Sequence, residues 1–477
     1  MECADLLLSE LLVFLLVFRG WLGVDRFMQA YFIRRFLLMF PTLLGITVMV
    51  FTVTRFVPGG PMDRALQEMS AAAEGSSASQ DNKGSGSLNE EQIEALEEQY
   101  NWDQPIPVAY LQWLGLMPQE TLKVKREFAS EPKQTLAAGE SDPHQTTKLV
   151  LLGSGREVEV SRDGGVVRHA VYVDSGEPIT DDGWVARIES PADRGERKAR
   201  RAGREATEAD AQGYRYRALV YREEFSGIVQ GDLGRSDRYG DRVIDMVIER
   251  VPIALYFGVL STLIIYGVCI PLGVAKAIGH RSFFDNVSSI VIFIGYSIPG
   301  FALGAVLLVY LGARMELFPL SGLTSPEFAE LSFWGQVKDL AWHTVLPLLC
   351  YVISGFAMLT MMMKNNLMDN LSADYVRTAM AKGVSFQRAV LGHAFRNSFI
   401  PIATSLGSLI TLFVGGSMLV EKVFDIQGFG MLQFQAIADK DYNVILGTLT
   451  ISAFLMLLGN ILSDIIVAMV DPRIKFT

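Results

Sequence analysis

Residues 373–401, ADYVRTAMAKGVSFQRAVLGHAFRNSFIP, place charged and hydrogen-bonding side chains between two long apolar runs, and the chemistry they can do is docking. Asp374, Tyr375, Arg377, Lys382, Arg388 and Arg396 put charge and hydrogen-bonding groups on a helix-prone stretch between two long apolar runs. Reaction chemistry has no comparable set. The histidines, His144, His169, His280, His343 and His393, are scattered, and no CxxC accompanies them, so a metal site has no ligand spacing to rest on. No GxxxxGK[ST] phosphate loop, GxSxG elbow or HExxH pair is present, which argues against an enzyme and against ATP hydrolysis by this chain. Cys269 and Cys350 fall in apolar runs and Cys3 near the start, leaving no disulfide framework.

The elements that must position the segment are membrane helices. The chain has 477 residues, 50% hydrophobic, with a mean hydropathy of +0.27. Its apolar residues gather into runs at about 32–57, 252–275, 287–312, 342–363, 399–420 and 443–470, each meeting the roughly 20 residues that a transmembrane helix needs. A weaker run at 6–18 is too short for a span. Lys and Arg in short loops resist translocation. Arg26, Arg34, Arg35, Lys276, Arg281, Lys364, Arg377, Lys382, Arg388, Arg396, Arg473 and Lys475 fall on one side of a six-span chain, which predicts cytoplasmic N- and C-termini and makes 365–398 a cytoplasmic loop. The net charge of −10 sits with acidic outer loops and gives no reason to expect nucleic acid.

Residues 58–250 then form one long extracytoplasmic loop, since long segments translocate largely regardless of charge. Ser, Gly and Ala at 70–88 read as a linker. LNEEQIEALEEQYNW has helical spacing, and 145–190 alternates apolar and polar residues between Gly-rich turns, predicting a small β-rich module. The run RGERKARRAGREATEAD at 194–210 is expected to be a solvated surface.

Within 373–398 the spacing predicts two helices around a glycine. Ser372 is placed to cap the first, Asp374 sits at the positive end of its dipole, and Gly383 can end it in a left-handed conformation. A second helix over about 385–398 precedes Pro401. Small Ala379 and Ala381 leave room for close approach. Such a pair can be gripped by a protein partner or can lie on anionic membrane lipid, and spacing alone does not choose. Inside the membrane, Pro41, Pro271, Pro299 and Pro347 interrupt spans and can shape a pathway. Asp464, one turn after Asn460, and Gly415, Gly416 and Glu421 at the outer end of the fifth span are the pathway or gate candidates, with helix packing as the alternative.

Asp374 to Gly383 (DYVRTAMAKG) and His393 to Pro401 (HAFRNSFIP) resemble the EAA loop of ABC importer permeases in its peptide-importer form, with Arg377-Thr378-Ala379 standing for Glu-Ala-Ala. IRRFLLMFPTLLGITVMVFTVTRFVPGGP at 33–61, GDLGRS at 231–236, RVPIALYFG at 250–258, PLGV at 271–274, IPGF at 298–301 and DPRIK at 471–475 are similar to that family in the same order. GYSIPGF, LFPLSGL and KNNLMDNLSADYV point within it to the oligopeptide and microcin C importer permeases. The resemblance implies an all-α polytopic permease of six transmembrane helices, the type I fold, carrying a β-rich extracytoplasmic insertion. It implies cytoplasmic ATPase subunits that hydrolyse ATP, a second similar permease, an extracytoplasmic solute-binding protein and a peptide-like substrate, with no cofactor held by this chain.

On the same basis the helix at 373–382 is a coupling helix: Tyr375, Arg377, Thr378 and Lys382 meet the ATPase, Ala379 is the small contact residue and Gly383 the turn. An ion-coupled secondary transporter is the alternative, for which only Asp464 is an intramembrane acid. Two stretches depart from the family pattern. Residues 1–27 precede its usual start, as an added helix or a start placed too early, and about 115–222 intervene between family-like 101–114 and 223–234.

Overall fold

A computed structural model describes residues 26–56, 93–94, 97–98, 100–129, 145–201, 204–406 and 417–470. The run at 6–18, the linker at 70–88, the exit at 58–61, Gly415, Gly416 and the closing 471–475 lie outside the described residues. In chain order the elements used below are α1 (Arg26–Phe56), α2 (Ile106–Leu114), β1 (Gln119–Glu127), β2 (Thr146–Val150), β3 (Glu157–Asp163), β4 (Val166–Tyr172), β5 (Trp184–Glu189), α3 (Pro191–Arg201), β6 (Arg217–Glu224), α4 (Val243–Ile278), α5 (Phe283–Ser297), α6 (Gly300–Leu307), α7 (Phe333–Ser372) and α8 (Asp374–Ala381). Short helical pieces follow, then α9 (Met418–Phe424), α10 (Phe429–Asp439) and α11 (Tyr442–Val470). The chain divides into two compact units, the first holding α2 to β6 and the second holding α1 and everything from Leu233 on.

The first unit is built on two three-stranded antiparallel sheets, in the orders β1-β6-β5 and β2-β3-β4. Phe128, Leu149, Leu151, Val158, Val160, Tyr172, Ile179, Trp184, Ile188, Ala218 and Val220 make one core that both sheets share. The strands reach well beyond the expected 145–190, because β1 and the central strand β6 flank that stretch and close the sheet across it. The residues that flank the strands in sequence come close together. A Cβ on Gly227 would sit 2.3 Å from the Gly115 nitrogen, and Gln119 Nε2 donates to the Ser226 carbonyl at 2.8 Å.

The basic run keeps Glu196, Lys198, Arg200 and 204–209 exposed, as expected of a solvated surface, but turns Arg194 and Arg197 inward. Arg194 is 5% exposed, pairs with Glu127 and lies over the Tyr214 ring, and Arg197 pairs with Glu189. Beside them Arg217 donates to Glu189 at 2.6 and 2.9 Å and to Glu94 at 2.8 Å. Buried charges persist only when paired, so the acidic residues of distant strands and of the 93–98 segment draw these guanidiniums inward.

In the second unit, Ile33–Phe56, Val243–Ile278 and Tyr442–Ile466 are each long and apolar enough to cross a membrane. Two further pairs pass only as bent spans. The stretch expected as one span at 287–312 is α5 and α6 meeting at 90° around Ile298 and Pro299, followed by a π-helical Leu308–Arg314. Proline cannot donate to the helix ladder and fixes its own φ, which ends α5 and opens α6 with Pro299 as N-cap. The second pair, Phe333–Ile353 and Gly355–Ser372, bends by 47° within α7. The span expected at 399–420 is described only in part, as Ile400–Leu406 and α9.

Length decides what the helices can reach. At about 1.5 Å per residue the 40 residues of α7 measure about 60 Å along their bent axis, roughly twice the hydrocarbon thickness. The helix therefore continues past the expected end at 363 into the stretch taken as loop. It crosses α4 closely: a Cβ on Gly273 would meet Met363 Cβ at 2.7 Å and the Thr360 carbonyl at 2.8 Å. Ile265, Cys269, Met363, Leu367, Val376, Ala389, Val390, Ala394 and Ile402 pack into one cluster around that crossing. At the other end Ser236 donates to buried Asp441 at 2.5 Å and Asn443 donates to the Arg235 carbonyl at 2.8 Å, so the GDLGRS motif fastens the start of α11.

Candidate coupling interface

The site begins where α7 stops. Ala373 leaves the helix with ψ 146° and serves as N-cap of α8 without a side-chain bond. Ser372, expected to cap α8, is the last residue of α7 and donates back to the Asp369 carbonyl at 2.8 Å. Asp374 occupies the first turn of α8, where negative charge favours the helix dipole. Val376 is 0% exposed and joins the apolar cluster. That one side chain anchors the eight-residue helix; Asp374, Tyr375, Arg377, Thr378, Met380, Ala381 and Lys382 are exposed and Ala379 is half-buried.

Gly383 ends the helix at φ +90°, with its N–H on the Met380 carbonyl at 2.9 Å and the Val384 N–H on the Ala379 carbonyl at 3.2 Å. No atom lies within 4 Å of a Cβ built there, so glycine is required by backbone conformation and not by space. Val384 then returns to the apolar cluster. The helix is thus displayed between two apolar plugs. After Phe386–Ala389 the chain winds as a π-helix over Val390–Ala394, and Ser398 donates to the Ala394 carbonyl at 2.7 Å and the Asn366 carbonyl at 3.1 Å. The second helix expected over 385–398 is therefore present with a wide turn inside it.

The charges on the displayed face are loosely held. Arg377 and Asp374 are 4.0 Å apart and solvent-exposed, and Tyr375 donates to Asn370 Oδ1 at 2.7 Å. Val376 is spent on the chain's own cluster while Tyr375, Arg377, Met380 and Lys382 stay exposed, which leaves a mixed polar and apolar face of the kind a protein groove seats.

The structure gathers Tyr375, Arg377, Thr378, Ala379, Lys382 and Gly383 into this one element, and it separates the pathway candidates. Pro299 is the elbow between α5 and α6. Asp464 on α11 is 3.0 Å from Arg35 on α1. Glu421 is 1% exposed; it accepts from Tyr351 at 3.0 Å and from the Met431 N–H at 2.7 Å, and a Cβ on Gly428 would meet its carboxylate at 2.5 Å. That carboxylate holds the start of α10. Tyr351, and a buried trio of Lys276, Asp285 and Lys364, escaped the sequence reading, which counted the lysines only as topogenic charge. An acid three residues after Ser282 at a helix start was the available signal.

Residues 269–476 match the family model described as "Binding-protein-dependent transport system inner membrane component". The peptidoglycan transport system permease YejB of Agrobacterium fabrum is 29% identical over 452 residues, 94% of this chain and 99% of its own. The inner membrane ABC transporter permease YejB of Escherichia coli O157:H7 is 41% identical over 52% of this chain and 69% of its own. The oligopeptide transport permease AppB of Bacillus subtilis is 35% identical over 54% and 80%. The chain belongs to the family of binding-protein-dependent transport system inner membrane components, and the ion-coupled secondary transporter has no support among its relatives.

Proposed function

We propose that this chain is the permease subunit of an ATP-driven importer of peptides or peptide-like solutes and forms half of the translocation pathway. Its relatives are permeases of oligopeptide, dipeptide and peptidoglycan transport systems, and the chain aligns with one of them from end to end. In this reading six transmembrane helices of the type I permease fold lie in the inner membrane with both termini cytoplasmic. The β unit is an extracytoplasmic insertion, and an extracytoplasmic solute-binding protein is a separate partner. A second similar permease completes the pathway, and separate cytoplasmic subunits hydrolyse ATP. This chain holds no cofactor.

The observation that carries the mechanism is the displayed helix α8. It hangs from the end of a forty-residue helix by Val376, with Tyr375, Arg377, Thr378 and Lys382 outward and the glycine turn behind it. Seated in a groove of an ATPase subunit, it passes the closure of that subunit to α7, and the membrane helices rock between inward-open and outward-open arrangements. Purification of the tagged chain in mild detergent from its native cells tests this directly. An ATPase subunit and a second permease should remain bound, and the ATPase should be lost from an Ala379→Trp variant while the second permease stays. A chain that emerges alone, under conditions that keep other such complexes together, rejects the reading.

A further inference from the structure

Three charged side chains are buried together where α4, α5 and α7 meet. Asp285, in the first turn of α5, is 2% exposed, and Lys276, in the last turn of α4, is 0% exposed. Lys364 of α7 donates to both Asp285 carboxylate oxygens, at 2.7 and 2.8 Å. Lys276 Nζ lies 3.1 Å from the same carboxylate and donates to the Asp285 carbonyl and to the Ser288 and Ser289 hydroxyls. The carboxylate also accepts the Arg281 N–H at 3.0 Å, in a turn where Arg281 has φ +62°, and His280 Nδ1 stands 3.6 Å away. One acid therefore joins three helices and the turn between two of them.

Stability is a poor reason for this arrangement, because an apolar cluster of the same volume commonly holds a protein together as well as buried charges do. What the trio supplies is a joint that cannot slip. Apolar faces can slide past one another at small cost, whereas a buried ammonium that moves off its carboxylate leaves both charges stranded. The joint is also placed where force would arrive. Lys364 lies on α7 about two turns before Ser372, only Ala373 separates α7 from α8, and α5 runs from Asp285 to the elbow at Pro299.

We propose that Asp285 is a positioning residue that pins α5 and the α4–α5 turn to α7, so that displacement of α8 is delivered through the Lys364 joint to α5 and the Pro299 elbow. The proposal rests on the coupling reading of α8. It assigns the transmission of movement to the ionic trio and not to the apolar contact farther along, where a Cβ on Gly295 would meet Ile353 Cδ1 at 3.0 Å.

Spin labels at Ser297→Cys, at the far end of α5, and Phe454→Cys, exposed on α11, report the movement by pulsed electron resonance. The assembled importer is placed in nanodiscs with Cys3 replaced by Ser, and is compared without nucleotide and trapped with ATP and vanadate. Asp285→Asn alone strands two ammoniums and can fail to fold. The decisive variant is therefore Asp285→Asn with Lys276→Met and Lys364→Met, which removes all three charges. Ser288 and Ser289 keep their backbone acceptors in that variant.

We expect the unaltered chain to show a nucleotide-dependent distance shift. The triple variant should keep its ATPase subunits and hydrolyse ATP but lose the shift, and Asp285→Glu in the otherwise unaltered chain, which retains the charge, should keep it. A triple variant that shifts like the unaltered chain overturns the pin and leaves the coupling reading standing. An unaltered chain that binds ATPase subunits and shows no shift rejects the coupling reading and the pin with it.

Discussion

Two basic helices of this chain look alike in sequence and end in opposite situations. In α3, PADRGERKARR, Arg194 and Arg197 turn inward and are neutralised by Glu127 and Glu189. In α8, DYVRTAMA, Arg377 is solvent-exposed with Asp374 4.0 Å away. The difference lies in what surrounds them. The residues that face α3 include carboxylates from β1 and β5, while α8 is faced by the apolar cluster around Val376, which offers a guanidinium nothing. Basic charge on a helix therefore marks a docking face only when the rest of the fold leaves it unanswered.

That contrast can be broken in four ways. The largest effect should come from Gly383→Pro, because proline holds φ near −65° where the turn has φ +90°; uptake by the assembled importer should be abolished while membrane insertion is kept. Next is Arg217→Ala in the β unit, which takes a buried guanidinium from Glu94 and Glu189, leaves Glu189 only Arg197, and should cost about 3–5 kcal/mol. Hydrogen exchange in β5 and β6 of the full-length protein should rise, with retention of the ATPase subunit unchanged.

Acid should separate the two regions as well. Burial alone would push the Glu189 carboxyl up, but Arg197 and Arg217 outweigh it and hold the carboxyl below its ordinary value of 4.5. A depressed value in the folded state means that the group's stabilisation is complete above pH 4.5 and disappears as pH falls through the folded value. Exchange protection of β5 and β6 should therefore be constant above that pH and drop below it. The smallest effect on stability should come from Arg377→Ala, within about 0.5 kcal/mol because the residue is exposed, yet retention of the ATPase subunit should fall. Equal damage to folding from Arg377→Ala and Arg217→Ala would remove the distinction.

The sequence made the membrane helices legible because transfer from water depends on local apolar length, which a window of residues reports directly. The span at 443–470 matches α11 to within a residue, and that at 32–57 falls within α1, which begins earlier, at Arg26, up to its described end at Phe56. The run at 252–275 lies inside α4, which begins earlier, at Val243, and ends at Ile278. Hydropathy does not report where a helix turns, and the 90° elbow at Pro299 was visible only as a proline inside an apolar run.

The β unit was half legible. Alternation marked β2 to β5, but β1 and β6 pair across about a hundred residues of sequence, and such pairing leaves no local trace. The end of α8 at Gly383 was legible, since left-handed turns are local. Its Ser372 cap was not, because α7 had enough length to keep that residue. Pairings between distant charges, those of α3 and of Asp285 with Lys364, depend on the whole fold and stayed hidden.

The close approach of the two ends of the β unit has a consequence for ancestry. With Gly115 and Gly227 nearly in contact, the incoming and outgoing strands of the chain stand one short peptide apart. A gene could lose or acquire the intervening cassette by a single deletion or insertion, since its two ends already stand together, though Glu94 and Glu98 would lose their partners Arg217, Lys125 and Arg197.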